Sequence, residues 1–234
     1  MAKRFYSQAD VAEDGDGFTV ELDGRPLKTP GKQLLRVPSR GIAGLIAQEW
    51  NDVKDEIDPM LMPVTRLANV ASESLPDRRE DLIRDIRQFA GTDLLSYRAP
   101  DPSDYVARQS KAWDPWLRWA KDRGVDLRTT NAVMAIDQPD DSLDKVAERA
   151  AAHSDFALTL LAHLTAVYGS AVLALAVMAR DLPPGEAFDL SRLDETYRAE
   201  IWGLDEEDAA QRDALRRETV TLGRLVDHLP DRST

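Results

Sequence analysis

The sequence predicts an α+β protein, with a small N-terminal α/β domain that contains antiparallel strands and a larger all-helical C-terminal domain. Residues 17–30, GFTVELDGRPLKTP, alternate apolar and polar side chains before a turn, which is typical of a strand. Beyond about residue 63, apolar residues recur at helical spacing. We therefore place an N-terminal domain at residues 1–75 and a helical domain at residues 76–234.

The N-terminal domain has recognisable strand, turn and helix signals. Phe18, Val20 and Leu22 alternate, and the Asp-Gly pair that follows them favours a tight turn. Residues 33–37 predict a further strand. Ser39 is a typical N-cap and predicts a helix from Arg40 through Lys54. Trp50 lies on this helix, and we expect it to pack between the helix and the sheet.

The rest of the chain predicts a series of helices. They cover 63–74, 76–91, 103–123, 142–152, 154–180 in two pieces, 186–202 and 205–227. The run from Phe156 to Ala179 contains no charged residue and is long enough to span a bilayer. It is rich in small residues, which gain little from lipid, so we favour two buried helices divided at Gly169-Ser170.

The segment WDPWLRW, residues 113–119, holds three of the five tryptophans. Asp114-Pro115 is typical of a helix start, although it also fits a kink within one longer helix from Tyr105. Helical geometry places Trp113 and Trp116 on a core stripe and Trp119 beside it, where it would cover a seam between domains. A core role is favoured over stacking on nucleic acid, because few cations are interleaved with these rings.

Composition excludes several function classes. The net charge of −12 argues against a nucleic-acid or anionic-membrane binder, and zero cysteines exclude disulfide and sulfur-ligated metal sites. The three histidines form no metal-ligand pair, and no phosphate-binding glycine motif appears. We expect no metal, no nucleotide and no stable membrane insertion, whereas the 42 acidic residues leave a carboxylate-pair hydrolase open. The N-terminus has no signal or transit pattern, so we expect a cytoplasmic protein.

The acidic residues are concentrated near the C-terminus. Residues 181–213 hold eleven acids and three bases, a net charge of −8, around the stretch EIWGLDEED. One interpretation is a solvated face on which Gly203 ends one helix and Asp205 caps the next. The other is a docking surface, in which an aromatic anchor with an acidic rim attracts a basic partner. The pattern alone leaves both open and favours the first.

Eight short stretches, in order along the chain, carry a family resemblance. They are KRFY at 3–6, LDGRPLKTP at 22–30, VPS at 37–39, EW at 49–50, MPVTRLAN at 62–69, TDLLSYR at 92–98, WDPWLRWA at 113–120 and WGLDEE at 202–207. The chain resembles the ATP-twelve family of ATP synthase assembly chaperones, which bind the free alpha subunit of the catalytic head. The mitochondrial members carry a targeting extension that is absent here, which points to a bacterial relative.

The resemblance implies a two-domain chaperone without enzymatic activity, and we therefore expect no catalytic residue and no cofactor. Its partner would be the unassembled ATP synthase alpha subunit, whose interface it would mask until the beta subunit replaces it. The resemblance favours the second interpretation of the acidic stretch, in which it is a contact surface. The expected partner-binding residues are Glu195, Glu200, Trp202, Asp205, Glu206 and Glu207. The alternative is a small-molecule enzyme that uses carboxylates in an interdomain cleft.

Overall fold

The computed structural model of the protein describes residues 2–73, 75–132, 134–203 and 205–230. The chain forms two compact units. The strand unit comprises Met1–Arg79, Ser154–Leu160 and Arg224–Thr234, and the helical unit comprises Glu80–His153 and Leu161–Gly223. The division into domains at residues 1–75 and 76–234 stays a prediction. The later stretches that join the strand unit were not indicated by any pattern in the sequence.

The strand unit contains short antiparallel strands, as the sequence predicts. They are β1 (Ala2–Lys3), β2 (Ala9–Asp14), β3 (Gly17–Leu22), β4 (Arg25–Pro26) and β5 (Glu56–Ile57). The strands β2, β3 and β4 form one sheet in that order, and β1 pairs with β5. Asp23 and Gly24 both have positive φ, the conformation that a tight hairpin turn requires, so β3 returns directly into β4.

The strand predicted over residues 33–37 is wrong. This segment makes only two isolated bridges, Lys28 with Leu34 and Phe18 with Val37. Lys32 adopts a positive φ in a turn where its N–H donates to the Thr29 carbonyl oxygen at 2.8 Å, and a proline follows Val37. The segment divides its backbone hydrogen bonds between residues 27–29 and Phe18, so it forms a regular ladder with neither partner.

The first helices of the strand unit are joined through Glu49. The helix α1 (Arg40–Asp52) begins at Ser39, whose Oγ accepts from the Ile42 N–H at 3.2 Å, as predicted. The Glu49 carboxylate accepts from the backbone N–H groups of Val64 and Thr65, both at 2.8 Å, at the start of α2 (Pro63–Glu73). Burial raises the pKa of Glu49, and these hydrogen bonds oppose that effect.

Helices make up most of the remaining chain. They are α3 (Leu75–Gly91), α4 (Ser103–Lys121), α5 (Asp140–Ala151), α6 (Asp155–Tyr168), α7 (Ala171–Met178), α8 (Pro184–Ser191), α9 (Leu193–Trp202) and α10 (Glu206–Gly223). The single helix predicted over residues 186–202 is wrong, because the backbone leaves helical geometry at Arg192 and separates α8 from α9. The helix α4 continues through Pro115, which selects the longer-helix interpretation.

The uncharged run forms two helices, as predicted. Gly169 has a φ of +63° between α6 and α7, and the Ser170 Oγ accepts from the Leu173 N–H at 3.1 Å to cap α7. Residues 171–177 are all buried. Within the described ranges, no helix is long and apolar enough to cross a membrane.

The stretches TDLLSYR and WDPWLRWA pack against each other in the helical unit. The Arg98 guanidinium lies 2.9 Å from the Asp114 carboxylate and 5.2 Å from the centre of the Trp113 ring. Trp113 is fully buried, as predicted. Trp116 is only half-buried, so its assignment to the core is wrong: the stripe marks the helix face, but the neighbouring elements cover only part of it.

Trp119 is also half-buried, and its contacts lie within the helical unit. Its indole N–H donates to the Asp181 carboxylate at 2.9 Å, and the Arg123 guanidinium lies 4.2 Å from its ring centre. The predicted role at a seam between domains therefore remains a prediction, whereas a polar and cation–π role on the surface of this unit is shown.

Asp93 is a completely buried carboxylate that links two helix starts. Its Oδ1 accepts from the Leu95 N–H at 3.0 Å in the 3-10 helix Leu94–Ser96, and its Oδ2 accepts from the Val172 N–H at 3.1 Å in α7. Burial raises the pKa of Asp93 to about 6, although hydrogen bonds to the charged form oppose the shift.

We predict that Asp93 makes the stability of the protein depend on pH. The folded state retains this proton up to about pH 6, whereas the unfolded chain releases it near pH 4. The free energy of unfolding should therefore fall as pH rises from 4 to 7, by about 2 kcal/mol for this group. Urea denaturation of the wild type and of Asp93→Asn at pH 4, 5, 6 and 7 measures how the free energy of unfolding changes with pH. A difference between the two proteins that stays constant with pH would contradict the assignment.

Candidate partner-binding surface

The end of α9 presents two apolar side chains to solvent. Trp202, the last residue of the helix, is 75% exposed, and Ile201 before it is 54% exposed. Gly203 ends the helix with φ +80° and ψ 166°, a conformation that essentially only glycine adopts, while its N–H donates to the Ala199 carbonyl oxygen. This turn leaves the tryptophan at the tip of the helix.

The start of α10 carries exposed acids beside this tip. The Asp205 Oδ1 accepts from the N–H groups of Glu207 and Asp208 at 2.8 and 2.9 Å, so Asp205 caps α10, as one interpretation of the sequence proposed. Glu206 and Glu207 are exposed in the first turn. Residues 199–211 contain five acids and neither lysine nor arginine, and Arg198 and Arg212 adjoin this stretch on either side.

The helix α9 and the end of α8 are held by a series of contacts with α4, which we call the α4–α9 ladder. Two tyrosine rings stack at 4.0 Å, an arginine makes a two-pronged ion pair, a glutamine amide donates to a carboxylate at 2.9 Å, and an indole N–H donates to a backbone oxygen at 3.0 Å. The pairs are Tyr105–Tyr197, Arg108–Glu200, Gln109–Asp194 and Trp113–Leu190.

The ladder divides the predicted site residues into two groups. Glu200 contacts Arg108 at 2.6 and 2.8 Å, and this hydrogen bonding lowers the pKa of Glu200. Glu195 lies 3.6 Å from the Arg192 Nε. These two acids are partly neutralised, and Asp205 is engaged as a cap. Trp202, Glu206 and Glu207 are therefore the predicted residues that remain most accessible to a partner.

Sequence reasoning missed a cleft of about 480 Å³ in the helical unit. Its wall combines residues of α4, α8, α9 and α10, and it includes Arg108, Arg192, Arg212 and Arg216. Arg216 donates to both carboxylate oxygens of Asp189 at 2.8 Å. Because the wall comes from four separate elements, no local pattern could have indicated it. Among the described residues, no group of histidine and carboxylate side chains is arranged to hold a metal.

Comparisons with known proteins identify the family. The family model described as ATP12 chaperone protein matches residues 3–121. The crystal structure of Atp12 from Paracoccus denitrificans is 38% identical and superposes with a TM-score of 0.91, covering 98% of this chain and 99% of that one. The chain belongs to the ATP12 chaperone family. The family resemblance and the predicted fold class are therefore confirmed. Members of this family assist assembly of the ATP synthase.

Two other relatives span most of the chain. The crystal structure of the Atu1473 protein of Agrobacterium tumefaciens is 39% identical with a TM-score of 0.91, over 97% of this chain and 86% of that one. The mitochondrial Atp12 protein of Schizosaccharomyces pombe is 21% identical over 99% of this chain and 85% of its own length. The candidate surface on α9 and α10 lies beyond the residues that the family model matches.

Proposed function

We propose that the protein binds the unassembled alpha subunit of the F-type ATP synthase and masks its interface until the beta subunit replaces it. Membership of the ATP12 chaperone family supports a role in ATP synthase assembly. The choice of the alpha subunit follows the family resemblance. We further propose that the protein acts in the bacterial cytoplasm, without a cofactor and without nucleotide.

The exposure of Trp202 is the observation that carries the proposed contact surface. A tryptophan that is 75% exposed at a helix tip offers a large rigid ring for a partner's apolar pocket. The adjacent acids, Glu206 and Glu207, would attract basic residues around that pocket and accelerate encounter. Glu195, Glu200 and Asp205 belong to the proposed surface, with contributions reduced by their own contacts with the chain.

This arrangement suits a chaperone that must release its client. A small apolar anchor with a charged rim gives rapid and reversible binding, because rim charges act mainly on association. We also propose that the protein is not an enzyme. In the cleft of the helical unit Asp189 is held by Arg216, so this carboxylate is committed to an ion pair rather than free for acid–base chemistry.

We predict that Trp202→Ala weakens binding to isolated alpha subunit by at least tenfold, because truncation removes the proposed anchor. Gel filtration should show a complex with the wild type in the absence of ATP, and light scattering should show suppressed aggregation of the alpha subunit. Met134→Ala is the matched control, because Met134 is similarly exposed at 81%. Absence of a wild-type complex would refute the function, and unchanged affinity of the Trp202 variant would refute the anchor.

We predict separately that Glu206→Lys with Glu207→Lys slows association with the alpha subunit at low salt by about tenfold. Asp205 is retained because its carboxylate caps α10. The control is Glu80→Lys with Asp85→Lys, which reverses two exposed acids on α3. Surface plasmon resonance at 20 and 500 mM salt measures the rates, and the deficit should shrink at high salt as charges are screened. Equal association rates for the two double variants would contradict the acidic rim.

A further inference from the structure

A second surface lies in the strand unit and is formed by an aromatic groove of about 500 Å³. Its wall contains Phe5, Tyr6 and Trp50 together with the apolar residues Leu22, Pro26 and Leu27. Phe5 is 73% exposed. Tyr6 packs against both Phe5 and Trp50, with ring centres 5.4 and 5.5 Å apart. Tyr6 is only 7% exposed and forms the floor of the groove, so the surface accessible to a ligand comes from Phe5, Pro26 and the half-buried Trp50.

The groove is preformed because Arg4 fixes the segment that carries Phe5 and Tyr6. The Arg4 guanidinium donates to the carbonyl oxygens of Tyr6 and Ser7 in its own segment and to that of Asn51 at the end of α1. The Tyr6 hydroxyl donates to the Trp50 carbonyl oxygen at 2.6 Å. Because these hydrogen bonds position the rings before any ligand binds, little ordering accompanies binding.

The charge of the groove is opposite to that of the chain. Arg25 and Lys28 line it and are exposed, and neither has an acidic partner among the described residues. The acid in the wall, Asp23, uses its carboxylate to accept from the N–H groups of Ser7 and Gln8 at 2.9–3.1 Å. A chain of net charge −12 therefore presents here an apolar groove with two free cations.

We infer that this groove binds an extended apolar peptide segment of a partner protein that is flanked by acidic residues. The aromatic rings take the apolar side chains, and Arg25 and Lys28 pair with the flanking carboxylates. This site is distinct from the α9–α10 surface. It does not rest on the proposed function, because it follows only from the shape and charge of the groove.

Two labelled octapeptides test this inference. Each has the core Leu-Pro-Phe-Leu, flanked on both sides by two glutamates in the first peptide and by two lysines in the second. Fluorescence anisotropy with the full-length protein should show the glutamate peptide binding at least tenfold more tightly than the lysine peptide at 20 mM salt, with the preference reduced at 500 mM salt. No binding of the glutamate peptide at 1 mM protein, or equal binding of both peptides, would overturn the inference.

Variants of the groove sharpen the test. Phe5→Ala should weaken binding of the glutamate peptide at least fivefold, and Arg25→Glu with Lys28→Glu should remove its preference over the lysine peptide. The control is Lys32→Glu with Lys54→Glu, which reverses two exposed lysines of the same unit that do not line the groove. Circular dichroism checks that each variant folds. If a variant does not fold, the comparison of the two peptides with the wild-type protein still tests the inference. An effect of the control equal to that of the groove variants would overturn it.

Discussion

The candidate surface depends on the way in which α4 holds α9. Tyr105, Arg108, Gln109 and Trp113 lie within nine residues of α4. The first three contact residues of α9, and Trp113 contacts Leu190 near the end of α8. The contacts run in nearly opposite order along α4 and along residues 190–200. Trp113, near the end of α4, contacts Leu190, whereas Tyr105 and Arg108, near its start, contact Tyr197 and Glu200. The contacts therefore fix the direction of α9 as well as its position. Burial and the hydrogen bond with Asp194 raise the pKa of Tyr105, which keeps its hydroxyl protonated as a donor within this ladder. A rigid helix whose last residue is an exposed tryptophan can offer that ring to a partner at little entropic cost.

The stretches that carry the family resemblance mostly build the fold. Arg4 of KRFY organises the N-terminal segment, Glu49 of the EW pair caps α2, and Asp93 of TDLLSYR joins the start of α7 to a 3-10 helix. Arg98 connects TDLLSYR to WDPWLRWA through Asp114 and the Trp113 ring. These roles explain why ordered short stretches identify a family while revealing little about contacts. Only the last stretch, WGLDEE, contributes an exposed aromatic ring and exposed acids directly.

The features that depend only on neighbouring residues were predicted correctly from the sequence. The alternation of Phe18, Val20 and Leu22 indicated β3, and Gly169-Ser170 indicated the break between α6 and α7, since each depends on neighbouring residues alone. The pairs of the ladder are separated by 77 to 92 residues, so neither periodicity nor capping could reveal them. The same limit applies to the arginine-lined cleft and to the aromatic groove. The groove joins the N-terminal segment to Trp50 and to the β3–β4 hairpin. The helix predicted over residues 186–202 was wrong because the backbone leaves helical geometry at Arg192, whose guanidinium donates to the Val167 carbonyl oxygen at 2.9 Å, a contact that no local pattern indicates.

Hydrogen–deuterium exchange of the protein, free and with purified alpha subunit, tests whether the partner covers the surface formed by α9 and α10. Residues 200–212, at the tip of α9 and the start of α10, should exchange more slowly in the complex, because the partner covers Trp202 and the adjacent acids. The helix α5 (Asp140–Ala151) serves as the internal reference and should exchange at the same rate in both states. A complex that forms without any change in exchange over residues 200–212 would show that the partner binds elsewhere on the protein.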